Sequence, residues 1–86
     1  MMFEIVYSKQ AIRVLRRLPR NLSQRIREKL REVALDPFAQ HNNVTRLVNR
    51  PGYRLRVGDW RIIYDIQDER MEIMVMRVAP RGEAYS

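Results

Sequence analysis

The C-terminal part of the chain carries the pattern that most restricts its fold, because three alternating segments are separated by two short turn sequences. Apolar or aromatic residues largely alternate with charged ones over 53–57, 60–66 and 71–78. Gly58-Asp59 is a two-residue connection of the kind found in tight hairpins. The polar residues 67–70 make the next reversal. This pattern predicts three consecutive antiparallel strands.

The N-terminal half predicts one strand and two helices. Residues 3–7 alternate in the manner of a short strand. Ser8 has the side chain of a helix N-cap, and apolar residues at helical spacing follow it until Pro19 ends the helix. A second helix is predicted from about Asn21 or Ser23 to Leu35. It stops at Asp36-Pro37, because the residue before a proline is disfavoured in the α region.

The fold class follows from the order of these elements. With a further short strand over 44–48, the order is β-α-α-β-β-β. A chain of 86 residues supports one two-layer core and no second one, so a single domain over 1–86 is predicted. We expect an α+β fold in which an N-terminal strand and a two-helix hairpin pack on an antiparallel sheet.

The turns determine which side chains share a face of this sheet. If Gly58-Asp59 is the whole first loop, Arg56 lies opposite Arg61; if 67–70 is the second loop, Arg61 lies opposite Met76. One face then packs on the helices and is nearly all apolar: Tyr53, Leu55, Val57, Trp60, Ile62, Tyr64, Ile66, Met71, Ile73, Val75 and Arg77. The other face carries Arg54, Arg56, Arg61, Ile63, Asp65, Glu72, Met74, Met76 and Val78.

Three arginines, Arg54, Arg56 and Arg61, converge on the second face. Like charges directly opposite each other destabilise a sheet, so folding alone gives no reason for the Arg56–Arg61 pair, whereas a bound polyanion does. The segment after the last strand returns to the same end of the sheet and brings Arg81 and Tyr85 within reach. Arginine pairs bidentately with phosphate and can stabilise charge that develops in phosphodiester transfer. A solvated strand face is the alternative for each single arginine.

The aromatic residues and the histidine are interpreted differently from these arginines. Tyr53, Tyr64 and Trp60 are expected in the core, and His41 is expected to be a surface residue of a polar loop. With one histidine and no cysteine in the chain, we predict no metal site and no cofactor.

The charge favours an anionic partner. Seventeen basic residues against ten acidic ones give a net charge of +7, which suits nucleic acid or an acidic protein. Much of this charge lies on the predicted helices, where Arg13, Arg16, Arg17 and Arg20 are candidate phosphate-binding residues, a solvated helix face being the alternative. The longest apolar run is four residues, far below the roughly 20 of a membrane-spanning helix, so no membrane contact and a cytoplasmic location are expected.

The sequence resembles the RelE/ParE family of bacterial type II toxins. The resemblance is carried by 53–64 and 77–85, and it covers nearly the whole chain in order. Shorter matching pieces precede these runs: 7–11, 18–19, 36–37 and Leu47. The resemblance implies a microbial-RNase-like fold and a cognate antitoxin. Within the RelE branch it implies cleavage of messenger RNA in the ribosomal A site, by attack of a ribose 2′-hydroxyl on the adjacent phosphate.

The resemblance also implies roles for five residues. Two basic family residues before the hairpin match Arg54 and Arg56. An arginine of the next strand matches Arg61, one of the C-terminal segment matches Arg81, and a terminal tyrosine matches Tyr85. Arg61 and Arg81 are then expected to stabilise the pentacovalent phosphate, and Tyr85 to orient or stack on a base or to take part in proton transfer. Some RelE members have lysine in place of Arg54 and Arg56; arginine stays protonated, which suits a phosphate clamp.

Three functions remain open from the sequence. The first is a metal-independent, ribosome-dependent endoribonuclease toxin whose partners are the ribosome and messenger RNA. The second is a ParE-like toxin that inhibits DNA gyrase, and the third is an inactive homologue that binds antitoxin or DNA as a co-repressor. In each case we expect a RelB-like antitoxin with an acidic or amphipathic segment, and a toxin–antitoxin complex that binds its own operator DNA.

Overall fold

The structure, a computed structural model, describes residues 2–82. Its elements are β1 (Glu4–Tyr7), α1 (Lys9–Arg17), α2 (Arg20–Leu35), β2 (Val44–Arg46), β3 (Tyr53–Val57), β4 (Trp60–Gln67), a 3₁₀ turn (Asp68–Arg70) and β5 (Glu72–Pro80). The predicted α+β class, with the N-terminal strand first and two helices on one face of the sheet, is confirmed. Over these residues, neither helix is long and apolar enough to cross a membrane.

The five strands form one sheet in the order β1-β5-β4-β3-β2. β2 to β5 are antiparallel neighbours, as predicted, but β1 pairs parallel to β5, so the sheet is mixed. Parallel neighbours need a long crossover connection, and the chain between β1 and β5 supplies it. The sheet therefore places the end of β5 beside the β3–β4 hairpin.

The core lies between the helices and one face of the sheet. Ser8 caps α1 as predicted, because its Oγ accepts a hydrogen bond from the backbone N–H of Ala11 at 3.1 Å. α2 begins at Arg20, slightly earlier than predicted, directly after Pro19. The buried side chains of both layers form one cluster: Phe3, Ala11, Leu15, Ile26, Leu30, Val33, Ala34, Leu55, Val57, Ile62, Tyr64, Ile73, Val75 and Val78.

The reversal between β4 and β5 differs from the prediction. Gln67, expected in the loop, pairs with Glu72 at the end of the two strands. Met71 instead closes the turn, with a left-handed φ of 52°. Ile66 consequently lies opposite Ile73 and not opposite Met71, two residues from the predicted register.

A β-bulge in β5 corrects the predicted faces. Ile63 lies opposite Arg77, while the next residue of β4 lies opposite Val75, so Met76 is an inserted residue. The insertion reverses the alternation beyond it. Val78, predicted on the polar face, is fully buried against the helices, and Arg77, predicted in the core, shares the face of Ile63. An alternating sequence does not reveal an inserted residue, because the pairing with the neighbouring strand decides which residue is left without a partner.

The segment after β2 folds over the sheet face that lies away from the helices. β2 ends at Arg46, two residues before the predicted end, because Leu47 turns and its N–H donates to the carbonyl of Gly52 at 3.0 Å. Leu47 then packs on Ile63, which is buried although it was predicted on the polar face. Gly52 is required here, because its φ is 116° and a Cβ would lie 3.0 Å from the backbone oxygen of Tyr64.

Candidate functional site: an arginine-lined cleft

Four predicted site arginines come together in one cleft. The β3–β4 register is the predicted one, and Arg56 lies directly opposite Arg61. Arg54, Arg56, Arg61 and Arg81 line a cleft of about 530 Å³ on the sheet face that lies away from the helices. The remaining lining residues are Asn43, Thr45 and Gly82. We call this site the arginine cleft.

Arg81 reaches the cleft because the segment after β5 is tied to the hairpin. Its backbone N–H donates to the carbonyl of Asp59 at 2.7 Å. Ala79 lies opposite Arg61, where the predicted register had Met76. Arg81 therefore lies at the predicted end of the sheet although the predicted β4–β5 register is wrong, since both registers return the chain to the hairpin end.

Hydrogen bonds to the protein orient two of the guanidinium groups. Arg56 Nη2 donates to Asn43 Oδ1 at 3.1 Å, and Arg61 Nη1 donates to the carbonyls of Gly58 and Trp60, each at 3.1 Å. Asn43 also accepts the Arg56 backbone N–H with its own carbonyl, at 2.9 Å. These contacts hold both cations at the hairpin end of the cleft.

Sequence reasoning missed Asn43 and Thr45. Asn43 has a φ of 66°, a left-handed conformation that asparagine tolerates better than most residues, and it stands directly before β2. Thr45 lies opposite Arg54 in the β2–β3 pair and so shares its face. A predicted pairing of β2 with β3 would have placed both residues beside the arginines. A strand of three residues, however, shows too little alternation for its register to be predicted.

The four arginines make the cleft a site of concentrated positive charge. The pKa of Arg61 is lowered from its ordinary value, first by partial desolvation and then by Arg56, Arg81 and Arg54, while Asp59 opposes the shift. Arginine nevertheless stays protonated at physiological pH. The cleft can therefore bind and stabilise negative charge, but its arginines cannot act as general bases.

No histidine or carboxylate is among the described residues that line the arginine cleft. His41 Nε2 lies 2.7 Å from the carbonyl oxygen of Asp36, and the ring lines a different cavity beside Val33 and Leu55, on the helix side of the sheet. Within residues 2–82 no cluster of histidines and carboxylates could hold a metal ion. Tyr85, the predicted fifth member of the site, lies outside the described residues.

We expect the His41→Ala variant to retain full activity in any assay of the arginine cleft, because the imidazole lies on the other side of the sheet. One exposed hydrogen bond is lost, so the free energy of unfolding should fall by no more than about 1 kcal/mol. Phosphate binding at the cleft and urea denaturation measure the two effects. Loss of phosphate binding in a variant that still folds would place His41 in the site.

The helix arginines do not join the cleft. Arg13, Arg16 and Arg17 lie exposed on α1, and Arg20 lies exposed at the start of α2. Both helices cover the opposite face of the sheet, so these arginines form a separate basic surface. Their role in binding phosphate stays a prediction.

The two core tyrosines are structural in this geometry. Tyr64 is 1% exposed, and its ring stacks on that of Tyr53 with centroids 5.4 Å apart. Burial, and then the neighbouring Tyr53, raises the pKa of Tyr64 well above its ordinary value. Trp60 is partly buried and packs against the same core. Tyr53, Tyr64 and Trp60 therefore lie in the core or pack against it, as predicted.

The family follows from a sequence comparison over nearly the whole chain. A family model described as the ParE toxin of the parDE type II toxin–antitoxin system matches residues 5–85. The chain belongs to the RelE/ParE family of type II toxins. Among curated proteins, no sequence match to this toxin is found.

Solved structures of toxins share the fold. RelE in the RelE–RelB complex of Pyrococcus horikoshii is 27% identical to this toxin, with a TM-score of 0.81 over 98% of this chain and all of that chain. The E. coli RelBE complex gives 23% identity and a TM-score of 0.78 over 94% of this chain and 98% of that chain. A YoeB/ParE toxin from Agrobacterium tumefaciens gives 14% identity and a TM-score of 0.78 over 91% of this chain and 98% of that chain. The two structures below 25% identity show the fold alone.

Proposed function

We propose that this toxin is a metal-independent endoribonuclease that cleaves messenger RNA on the ribosome. One observation carries the proposal: four arginines line one cleft, and two of them are paired directly across the hairpin. Such a pair costs stability in the free protein. A phosphodiester in the cleft would neutralise it, so the arrangement is understandable as a binding site for the RNA backbone.

The cleft suits cleavage through the ribose 2′-hydroxyl. In that reaction the 2′-oxygen bonds to the adjacent phosphorus and the bond from phosphorus to the 5′-oxygen breaks, leaving a 2′,3′-cyclic phosphate and a 5′-hydroxyl. Negative charge grows on the phosphoryl oxygens in the transition state. Arg61 and Arg81 would stabilise this charge, while Arg54 and Arg56 would clamp the neighbouring phosphates. The two protons that move require another group, for which Tyr85 is the candidate in this chain.

We further propose that an antitoxin neutralises the toxin. The Pyrococcus horikoshii and E. coli relatives were solved as complexes of RelE with RelB. The strong positive charge of this chain favours an antitoxin segment that is acidic or amphipathic. The helix arginines are proposed to contact ribosomal RNA, and the complex with antitoxin to bind operator DNA. Because the ribosome is the proposed target, the cytoplasm is the proposed location.

Primer extension on messages from cells that briefly express the toxin tests the catalytic proposal. We expect new cuts at codon boundaries that require translation and are lost with Arg81→Ala. Arg70→Ala is the matched control, because it removes the same charge from the exposed turn at the opposite end of the sheet. Cuts that persist in Arg81→Ala, or that do not depend on translation, would contradict the proposal.

The family model itself favours a second candidate, because it describes ParE toxins. A ParE-like toxin would inhibit DNA gyrase by binding, without RNA chemistry. Growth arrest with intact messages and a DNA-damage response would support that function. If the toxin is expressed in soluble form and causes neither growth arrest nor message cleavage, the result would indicate an inactive homologue that binds antitoxin or DNA.

A further inference from the structure

A second cavity lies on the same face of the sheet as the arginine cleft. It has a volume of about 440 Å³ and contains both apolar and charged groups. Its lining residues are Leu47, Arg50, Pro51, Ile63, Asp65, Met76 and Arg77. We call it the Asp65 cavity.

The two cavities are neighbours along the strands, although they share no lining residue. Arg54, which lines the arginine cleft, lies directly opposite Ile63, which lines the Asp65 cavity. Asp65 is two residues further along β4, a distance of about 6.6 Å at the usual rise of a strand. A nucleotide whose phosphate lies at Arg54 could therefore place its base in the Asp65 cavity.

The walls of the Asp65 cavity suit a flat aromatic base. Its apolar lining consists of Ile63 and Leu47, which pack together, of Pro51, and of Met76, which is 38% exposed. Leu47 and Met76 leave apolar surface exposed on this face, and a stacked base would cover it. Arg50 and Arg77 also line the cavity, and arginine is a residue type that can stack on bases.

Asp65 supplies an oriented hydrogen-bond acceptor in this cavity, which Arg50 and Arg77 also line. Its Oδ1 accepts the backbone N–H of Ile66 at 2.9 Å, and its Oδ2 accepts a hydrogen bond from Gln67 Nε2 at 3.3 Å. Each contact uses one acceptor position and helps to orient the carboxylate. An ionised carboxylate offers about four such positions, so these two contacts do not exhaust its capacity to accept hydrogen bonds.

We propose that the Asp65 cavity is a subsite for a guanine base of the RNA strand whose phosphates lie in the arginine cleft. Guanine has two adjacent donors, N1–H and N2–H, on its Watson–Crick edge, and a carboxylate can accept both. Adenine and cytosine present one donor beside an acceptor, and uracil presents one donor between two carbonyls. Asp65 is thus the specificity-determining residue of this subsite. The inference rests on the proposed function, since it needs RNA in the cleft.

Titration of the purified toxin with the four nucleoside 3′,5′-bisphosphates, followed by NMR of the methyl groups and of the arginine guanidinium groups, tests the subsite. All four probes carry the same phosphates, so they differ only in the base. We expect guanosine bisphosphate to bind about tenfold more tightly than the others and to shift the methyl signals of Ile63 and Met76. Asp65→Asn should bring the four affinities to within about twofold of each other. Asp68→Asn, with the same charge change in the exposed turn, should keep the guanine preference.

The outcomes separate the subsite from the catalytic proposal. If all four probes shift the guanidinium signals of the cleft but leave the two methyl signals unchanged, the subsite is wrong and the cleft stands. If the methyl signals respond only to an antitoxin segment, the cavity is a protein-docking surface and the inference fails. If no probe binds, the cleft is not a phosphate site and both proposals fall. A guanine preference that survives in Asp65→Asn would overturn the role of Asp65, and the wild-type titration decides the subsite even if that variant does not fold.

Discussion

We expect the Arg61→Ala variant to cleave messages about 10²- to 10³-fold more slowly than the wild type, which is the usual cost of removing one preorganised group that stabilises transition-state charge. Arg61 lies directly opposite Arg56 and shares the cleft with Arg54 and Arg81, and desolvation and these three cations lower its pKa. Single-turnover cleavage on programmed ribosomes measures the effect. Arg61→Lys should recover only part of the rate, because lysine keeps the charge and loses the planar fork.

The same substitution should relieve an electrostatic repulsion in the folded protein, although it slows cleavage. Removing Arg61 ends the direct repulsion from Arg56, while two hydrogen bonds to carbonyl oxygens at the hairpin are lost. We expect the free energy of unfolding to stay within about 1 kcal/mol of the wild-type value and to gain less from added salt, which screens the repulsion that remains. The control is again Arg70→Ala. An Arg61→Ala variant that folds and cleaves at the wild-type rate would remove the cleft from the mechanism.

The Tyr64→Ala variant should lose about 3–5 kcal/mol of unfolding free energy. Tyr64 is among the largest fully buried side chains, and its removal leaves a cavity between β4 and the helices and ends the stacking on Tyr53. A domain of this size has a total stability of about 5–15 kcal/mol, so the loss is a large share of it. Urea denaturation followed by the fluorescence of Trp60, the single tryptophan, measures the change.

Tyr64→Phe distinguishes packing from chemistry at this position. The ring and its stacking on Tyr53 remain, so we expect stability within about 1.5 kcal/mol of the wild type and unchanged cleavage. The raised pKa of Tyr64 supports this expectation, because a buried phenol gives up its proton reluctantly. A folded Tyr64→Phe variant that cleaves ten times more slowly would contradict this expectation and indicate that the Tyr64 hydroxyl takes part in cleavage.

Local sequence signals predicted the N-terminal half and the first hairpin well. Ser8 capped α1 as expected, and the two-residue loop Gly58-Asp59 set the β3–β4 register that pairs Arg56 with Arg61. Both features depend on neighbours close in sequence, namely a hydroxyl beside a helix start and a turn of fixed length. The arginine cleft was predictable for the same reason, since three of its four arginines stand on that hairpin.

The features that were missed depend on contacts between distant segments. The inserted residue Met76 moved Val78 into the core and Arg77 out of it, and the turn of Leu47 onto Ile63 closed part of the outer face. The parallel pairing of β1 with β5 was likewise not predicted, because nothing local to β1 distinguishes a parallel from an antiparallel neighbour. Asn43 entered the site only through its bond to Arg56, 13 residues along the chain.

The sequence by itself determined the class of fold, the hairpin and the positive charge on one face of the sheet, because periodicity, caps and short turns act over a few residues. The tertiary structure decided which apolar residues cover that face and where a base could lie beside the phosphates. Those outcomes depend on the β4–β5 register and on the packing of the segment after β2. Register and packing are set by the fit of whole surfaces, which no short stretch of sequence contains.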